Sequence, residues 1–384
     1  MRETTRRRKA RREVRSMQVT RKRLAGATLV AGVGLAAAGG VVAVPGPAQA
    51  AGVPGAVYTM TNSPSGNAIE AFTRAADGSL TPAGSFPTGG TGGALGSGHS
   101  IVVSAGGRFI VNVNAGSNSI SAFAARPDGL RLLGTVGSDG TRPNSVTMFG
   151  DVIYVLDAGS ASIAGFRLGD GGLRPIPGSR QPLSAGALVP RQIQFNGNGR
   201  VLVVDEGGSN TIDTFVVGPG GAAGPATTTP SVGGGPFGFD VDRAGHLLVS
   251  DAALTTGRSG ATSYDVAGDG TVTANGPAVP IDQAAACWLA AGAGFAFTAN
   301  AGSGSIGRYA VAPDGTLTAL GSTLVENDAQ SHPLDEAVSE GQQYLYVLAN
   351  GLATIVGYRI GAGGSLTQVA TAPVAATSGG IAAA

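Results

Sequence analysis

Residues 108–130, RFIVNVNAGSNSISAFAARPDGL, hold the pattern that decides the fold. From Phe109 to Asn114 apolar and polar residues alternate, the period of a half-buried β-strand. A short Gly/Ser loop follows, then a second strand marked by Ile120 and Phe123. Asp128-Gly129 closes the unit, and Asp-Gly favours the positive φ values of a tight hairpin.

The same unit recurs along the chain. Its Ile and aromatic markers fall at Ile69/Phe72, Ile120/Phe123, Ile163/Phe166, Ile212/Phe215, Ile306/Tyr309 and Ile355/Tyr358, with a degenerate copy at Thr262-Ser263-Tyr264. Seven copies at a period of about 48 residues match four-stranded propeller blades and are too long for leucine-rich or hexapeptide solenoids. Asp77-Gly78, Asp269-Gly270 and Asp314-Gly315 repeat the hairpin signal, and 65 Gly and 21 Pro argue against helices. The expectation is an all-β, seven-bladed β-propeller of four-stranded antiparallel blades over residues 51–384. The first copy starts at its second strand, near Ala56, and residues 380–384 resemble an orphan first strand. Pairing the two closes the ring and leaves no open sheet edge. Ala222 to Gly235, rich in Gly, Ala, Thr and Pro, is expected to be a loop leading out of blade four.

The first 23 residues carry 11 of the 25 Lys and Arg, an apolar stretch runs from Leu24 to Val44, and Ala48-Gln49-Ala50 has the small residues a signal peptidase reads. Residues 1–50 therefore read as a signal peptide cleaved after Ala50, which makes the remainder a secreted, extracellular protein. An uncleaved membrane anchor is the alternative. Beyond residue 50 there are 14 Arg, no Lys and 22 acidic residues, so the formal charge of +1 becomes −8. That balance makes nucleic acid an improbable partner, and the missing lysines exclude a phosphate-loop lysine or a Schiff-base amine. Cys287 stands alone and permits no internal disulfide. With three scattered histidines it forms no zinc pattern, so no metal or organic cofactor is expected.

In a propeller the start of each innermost strand lies beside the end of the second, and these places converge on one mouth. In blade four, Arg191 and Glu206 are nearly symmetric about the Asn196–Gly199 turn, which sets a guanidinium against a carboxylate that could clamp an anion and handle its proton. The same spacing also describes an ordinary cross-strand ion pair. Blade two sets His99, a natural acid/base group, against Asn114, and blade three sets Asn144 against Asp157. A hydrogen-bonded structural histidine is the alternative for His99. Glu206 and His99 are thus the candidate catalytic residues, and Arg191, Asn114, Asn144 and Asp157 the candidate substrate-binding ones.

Pro190-Arg191-Gln192-Ile193-Gln194-Phe195 together with Val204-Asp205-Glu206 resembles the Pro-Arg-His and Asn-Glu blade of the seven-bladed propeller lactonases, the family of 6-phosphogluconolactonase and carboxymuconate-cyclising enzymes. The resemblance spans nearly all of residues 56–384. It implies a cofactor-free hydrolase acting on a small, anionic lactone, with Arg191 as anion binder and Glu206 as acid/base or orienting group. The chain departs from the pattern at Asn144, where a histidine is expected, and at Val249–Ala252, where an arginine is missing. A non-catalytic extracellular binding propeller is the alternative reading, and in either case a monomer is expected.

Overall fold

The computed structural model describes residues 55–169, 171–253 and 258–384. The expected signal peptide, with its cleavage point, lies outside them. The described chain forms seven antiparallel sheets. Their innermost strands are Gly379–Ala383, Ile101–Val103, Pro143–Phe149, Pro190–Phe195, Pro236–Val241, Ala286–Gly292 and Pro333–Val338, for blades one to seven in turn. Each of these packs against the innermost strands of the blades on both sides, so the circuit closes into a propeller. No α-helix occurs among the described residues, and so none is long and apolar enough to cross a membrane.

The Ile-x-x-aromatic spacing explains the stacking. Residues three apart on a strand point to opposite faces of the sheet. Accordingly Ile69 joins the apolar layer shared with blade two, whereas Phe72 joins the layer shared with blade seven. Ile212 and Phe215, and Ile355 and Tyr358, divide between neighbours in the same way. All the marker aromatics are buried, including Tyr264 of the degenerate copy. Burying both faces of every blade makes each one depend on its neighbours.

Closure is as expected. Gly379–Ala383 pairs with Gly55–Met60, setting Val57 opposite Ala383 and Thr59 opposite Ile381, and Thr59 Oγ1 donates to the Gly380 carbonyl at 2.6 Å. One expectation fails. Within the stretch read as a loop, Ala223–Pro230 is the outer strand of blade four, paired with Thr211–Val217. Its β-branched Thr227, Thr228 and Thr229 suit a solvated edge strand, a feature masked by the low-complexity composition.

Candidate functional site

Six innermost strands carry an extra residue near their start, a β-bulge at which two residues oppose one or, in blade five, three oppose two. The residues placed there are Gly380, Asn144, Arg191, Phe237, Cys287 and Leu334. A bulge re-aims its side chain, and here the bulges mark one end of the axis, the upper mouth. Arg191 is the one cation among the six. Val189, two residues before it, holds φ at 56°, a conformation that β-branched residues rarely adopt.

The Arg191 guanidinium lies 4.2 Å from the centroid of the Phe237 ring, which in turn meets Trp288 edge-on at 5.0 Å. Nη1 of Arg191 donates to the Gly96 carbonyl at 2.9 Å, while its Nε is buried without a partner. Burial disfavours the charge on Arg191, and Asp205 and Cys287 oppose that effect. Burial also pushes the Cys287 thiol up to about 11, so it stays protonated and unreactive near neutrality.

Gly96 belongs to a glycine-rich connection between blades one and two that crosses this mouth. Trp288 Nε1 donates to the Ser97 carbonyl at 2.9 Å, and Ser97 Oγ donates to the Asn144 carbonyl at 2.6 Å. The base of the connection is held by Asn62, which exchanges two hydrogen bonds with Gly93. Blades three, four and six therefore all grip the same short loop, and together they cover Arg191.

The structure does not bring Arg191 and Glu206 together. Pro190 pairs with Glu206 and Gln192 with Asp205, so the bulge at Arg191 breaks the symmetric register. Glu206 is fully buried and turns into its own blade, where Oε2 accepts from Ser209 Oγ at 2.7 Å and Thr211 Oγ1 at 3.3 Å. Burial, with Asp213 beside it, pushes its carboxyl up to about 7. The carboxyl group that bears on Arg191 is Asp205, also fully buried. One of its oxygens accepts the Gln192 amide at 2.8 Å and the other has no partner. Burial raises its pKa well above the ordinary value, and Arg191 counters only part of that.

Two more of the candidate positions share the setting of Glu206. Asn114 accepts from Thr88 Oγ1 at 2.8 Å and donates to Ser121 Oγ at 2.8 Å; Asp157 accepts from Ser138 Oγ at 2.6 Å and is pushed up to about 7 by burial. Asp251 and Asn300 end their second strands in the same manner, bonded to Thr262 and Ser305. A polar residue closing the second strand of five successive blades, always bonded to a nearby hydroxyl, is a structural tie of the repeat.

Asn144 supports the site from behind, donating through Nδ2 to the carbonyls of Pro190 at 3.0 Å and Arg191 at 3.4 Å. His99 is not at this mouth. It lies further along the axis, with Nδ1 3.4 Å from Gln192 Nε2, and burial lowers its proton affinity against the pull of Asp240. Gln192, nearly fully buried, accepts the Phe239 amide at 3.2 Å and stands between His99 and the upper mouth. Counting along the sequence missed Asp205, Phe237, Trp288 and Gln192. The adjacent Asp205-Glu206 pair was the available signal, since successive strand residues face opposite sides. Among the described residues, no group of three or more His, Cys, Asp or Glu is arranged to hold a metal ion.

No protein-family model and no curated protein sequence matches the chain. Solved structures do. A Bacteroides fragilis protein provisionally assigned as a 6-phosphogluconolactonase superposes with a TM-score of 0.68 at 20% identity, covering 87% of this chain and 98% of its own. A Bacteroides uniformis protein with the same provisional assignment gives 0.67 at 22%, covering 84% and 97%. A periplasmic gluconolactonase from Pseudomonas aeruginosa gives 0.68 at 16%, covering 84% and 97%. At these identities the likeness establishes a shared fold, the seven-bladed propeller.

Proposed function

We propose that the chain is a lactonase-type hydrolase that takes a small anionic lactone into the upper mouth. The observation that carries this reading is Arg191: a half-buried guanidinium stacked on Phe237 whose one hydrogen-bond partner is a backbone carbonyl of the covering loop. A substrate carboxylate or phosphate binds a guanidinium more strongly than a neutral carbonyl does, so it can displace Gly96. Water then adds to the lactone carbonyl carbon and releases one proton to solvent, the ring C–O bond breaks, and the ring oxygen takes up a proton. Asp205, whose protonated form burial favours, is the acid proposed for this transfer in place of Glu206, and it regains its proton from solvent. His99 is assigned no proton transfer at this mouth. Solved neighbours described as lactonases support the reaction class. The basic and apolar leader ending at Ala50 supports export, with the protein acting outside the cytoplasm as a monomer.

The test is a panel of sugar and aromatic lactones, neutral and anionic, offered to the purified protein and to the Arg191→Ala and Asp205→Asn variants. Anionic lactones should be opened by the wild type and far more slowly by either variant. If no lactone is opened, the reading fails. A second reading, a non-catalytic propeller that binds a small anion, is favoured by the loop covering the mouth and by the retreat of Glu206 and His99 from it. Saturable binding of the product hydroxy acid without any turnover would select it.

A further inference from the structure

The cleft between blades two and three holds a second site. Blade two contributes its second, third and outer strands, Phe109–Asn114, Ser119–Arg126 and Gly129–Gly137. Phe109 pairs with Ala124 and Ala124 with Arg131, so these three stand in one cross-strand row, and Arg126, two residues beyond Ala124, faces the same side. Arg108 joins them from the turn before the second strand. Its backbone is helical there, with φ −77° and ψ −32°, and its guanidinium lies 5.4 Å from the centroid of the Phe109 ring. A cavity of about 200 Å³ lies among these residues, bounded also by Leu133 and, from blade three, by Gly169.

Among the described residues, no aspartate or glutamate lines this cavity, and none of the three guanidinium groups makes a hydrogen bond or an ion pair. Asp128, in the hairpin after Arg126, and Glu340, whose Oε1 accepts the Gly106 amide at 3.0 Å, both leave them unpaired. The chain beyond residue 50 has a formal charge of −8, yet three of its 14 arginines gather here. A local reversal of sign in a concave, partly apolar setting attracts and holds an anion. The cluster is not part of the repeat. Blade four has Arg200 in the place of Arg108, but its third strand ends on Val217 where that of blade two ends on Arg126.

Donor geometry selects the anion. A guanidinium presents its N–H donors as a planar fork that matches the oxygen edges of a phosphate. A terminal phosphate has three acceptor oxygens and nearly two negative charges at neutral pH, enough to engage three arginines, whereas a carboxylate offers a single edge. At about 30 Å³ for each water-sized group, the cavity has room for about six or seven non-hydrogen atoms, of which a phosphate fills about five. We propose that the cleft binds a terminal phosphate, the group shared by inorganic phosphate and phosphate monoesters, on Arg108, Arg126 and Arg131. This site shares no residue with the upper mouth and does not rest on the lactone reading.

Calorimetric titration of the full chain with methyl phosphate tests the site, with Arg191→Ala as the parent so that the upper mouth is silent. One molecule should bind. Methyl sulfate, of similar shape with one charge fewer, should bind at least about fivefold more weakly, and Arg131→Gln should weaken methyl phosphate at least about tenfold. Gly169→Glu, at an exposed position where an added side chain meets open space, should abolish binding by placing a carboxylate among the arginines. Circular dichroism confirms that each variant is folded. Both sources of the group support the proposal: tighter binding of inorganic phosphate than of methyl phosphate identifies the free ion as the occupant, and the reverse order identifies a monoester. The proposal is overturned if methyl phosphate does not bind saturably, if methyl sulfate binds as tightly, or if Arg131→Gln and Gly169→Glu both bind like the parent.

Discussion

The two ends of the propeller axis are built from the same innermost strands and differ in almost everything else. The upper mouth has one arginine, two aromatic rings and a loop drawn across it; the opposite opening of the axis has Asp240 and Glu336 among aliphatic residues and no lysine or arginine. Bulges account for much of the contrast, because they mark the upper end of six strands, whereas Pro190–Phe195, Ala286–Gly292 and Pro333–Val338 run in regular register below them. Equivalent positions in the repeat hold the ring. Function is to be sought where equivalent positions carry different residues.

The largest effect expected comes from removing what both ends share. Deleting residues 379–384 removes the strand that carries buried Ile381 and completes blade one, and it should abolish cooperative thermal unfolding followed by circular dichroism. A truncated chain that still unfolds in one sharp transition would show that the seam is dispensable to both ends. Next comes a change confined to the mouth. Arg191→Ala should lower kcat/KM for an anionic lactone about a hundredfold, and Arg191→Lys should recover little because an ammonium lacks the planar face stacked on Phe237. Full recovery by lysine would reduce that site to a point charge.

Acidity sharpens the contrast at the lower end. Burial pushes Asp335 up to about 8, so the folded state holds a proton that the unfolded chain releases near pH 4. Its stabilising contribution is complete below about pH 4 and is lost as the pH rises through about 8. Asp335→Asn should therefore raise stability at pH 8 by about 1 to 2 kcal/mol relative to wild type, read from urea unfolding at pH 5 and pH 8, and it should flatten the fall between them. An unchanged slope would mean that the proton resides elsewhere. The smallest effect belongs to the covering loop. Trp288→Phe keeps the ring packing but removes the bond to Ser97, worth about 1 kcal/mol, so amide exchange at residues 95–98 should quicken about fivefold. Unaltered exchange would leave Arg191 and Asn62 as sufficient anchors.

The ring was legible in the sequence because its cause is local and repeated. Ile-x-x-aromatic forces two buried faces on a strand, Asp-Gly turns the chain, and a missing first strand in blade one asks for Gly380–Ala384. The site was less legible because one inserted residue per strand is invisible to counting. Symmetry about the Asn196–Gly199 turn sets Arg191 against Glu206; the bulge turns Arg191 toward Phe237 and leaves Asp205 as its electrostatic partner. The tie formed by Asn114, Asp157, Glu206, Asp251 and Asn300 was visible as a repeated Asn or Asp at the end of the second strand, and its very repetition was the sign of a structural duty. Gly96 and Ser97 could not be placed, since a glycine-rich connection carries no pattern that says which blades it will cross.

Blade one takes its strands from both extremes of the described chain, with Gly55 lying against the carbonyl of Ala384. The hydrogen-bonded ring therefore has no first blade, although the covalent chain has a first residue. Joining Gly55 to Ala384 through a short linker and cutting the backbone between the exposed Pro219 and Gly220 would move the break to another blade and keep every strand pair. Order along the chain and order around the axis are separable properties of this protein, and its two ends belong to the second.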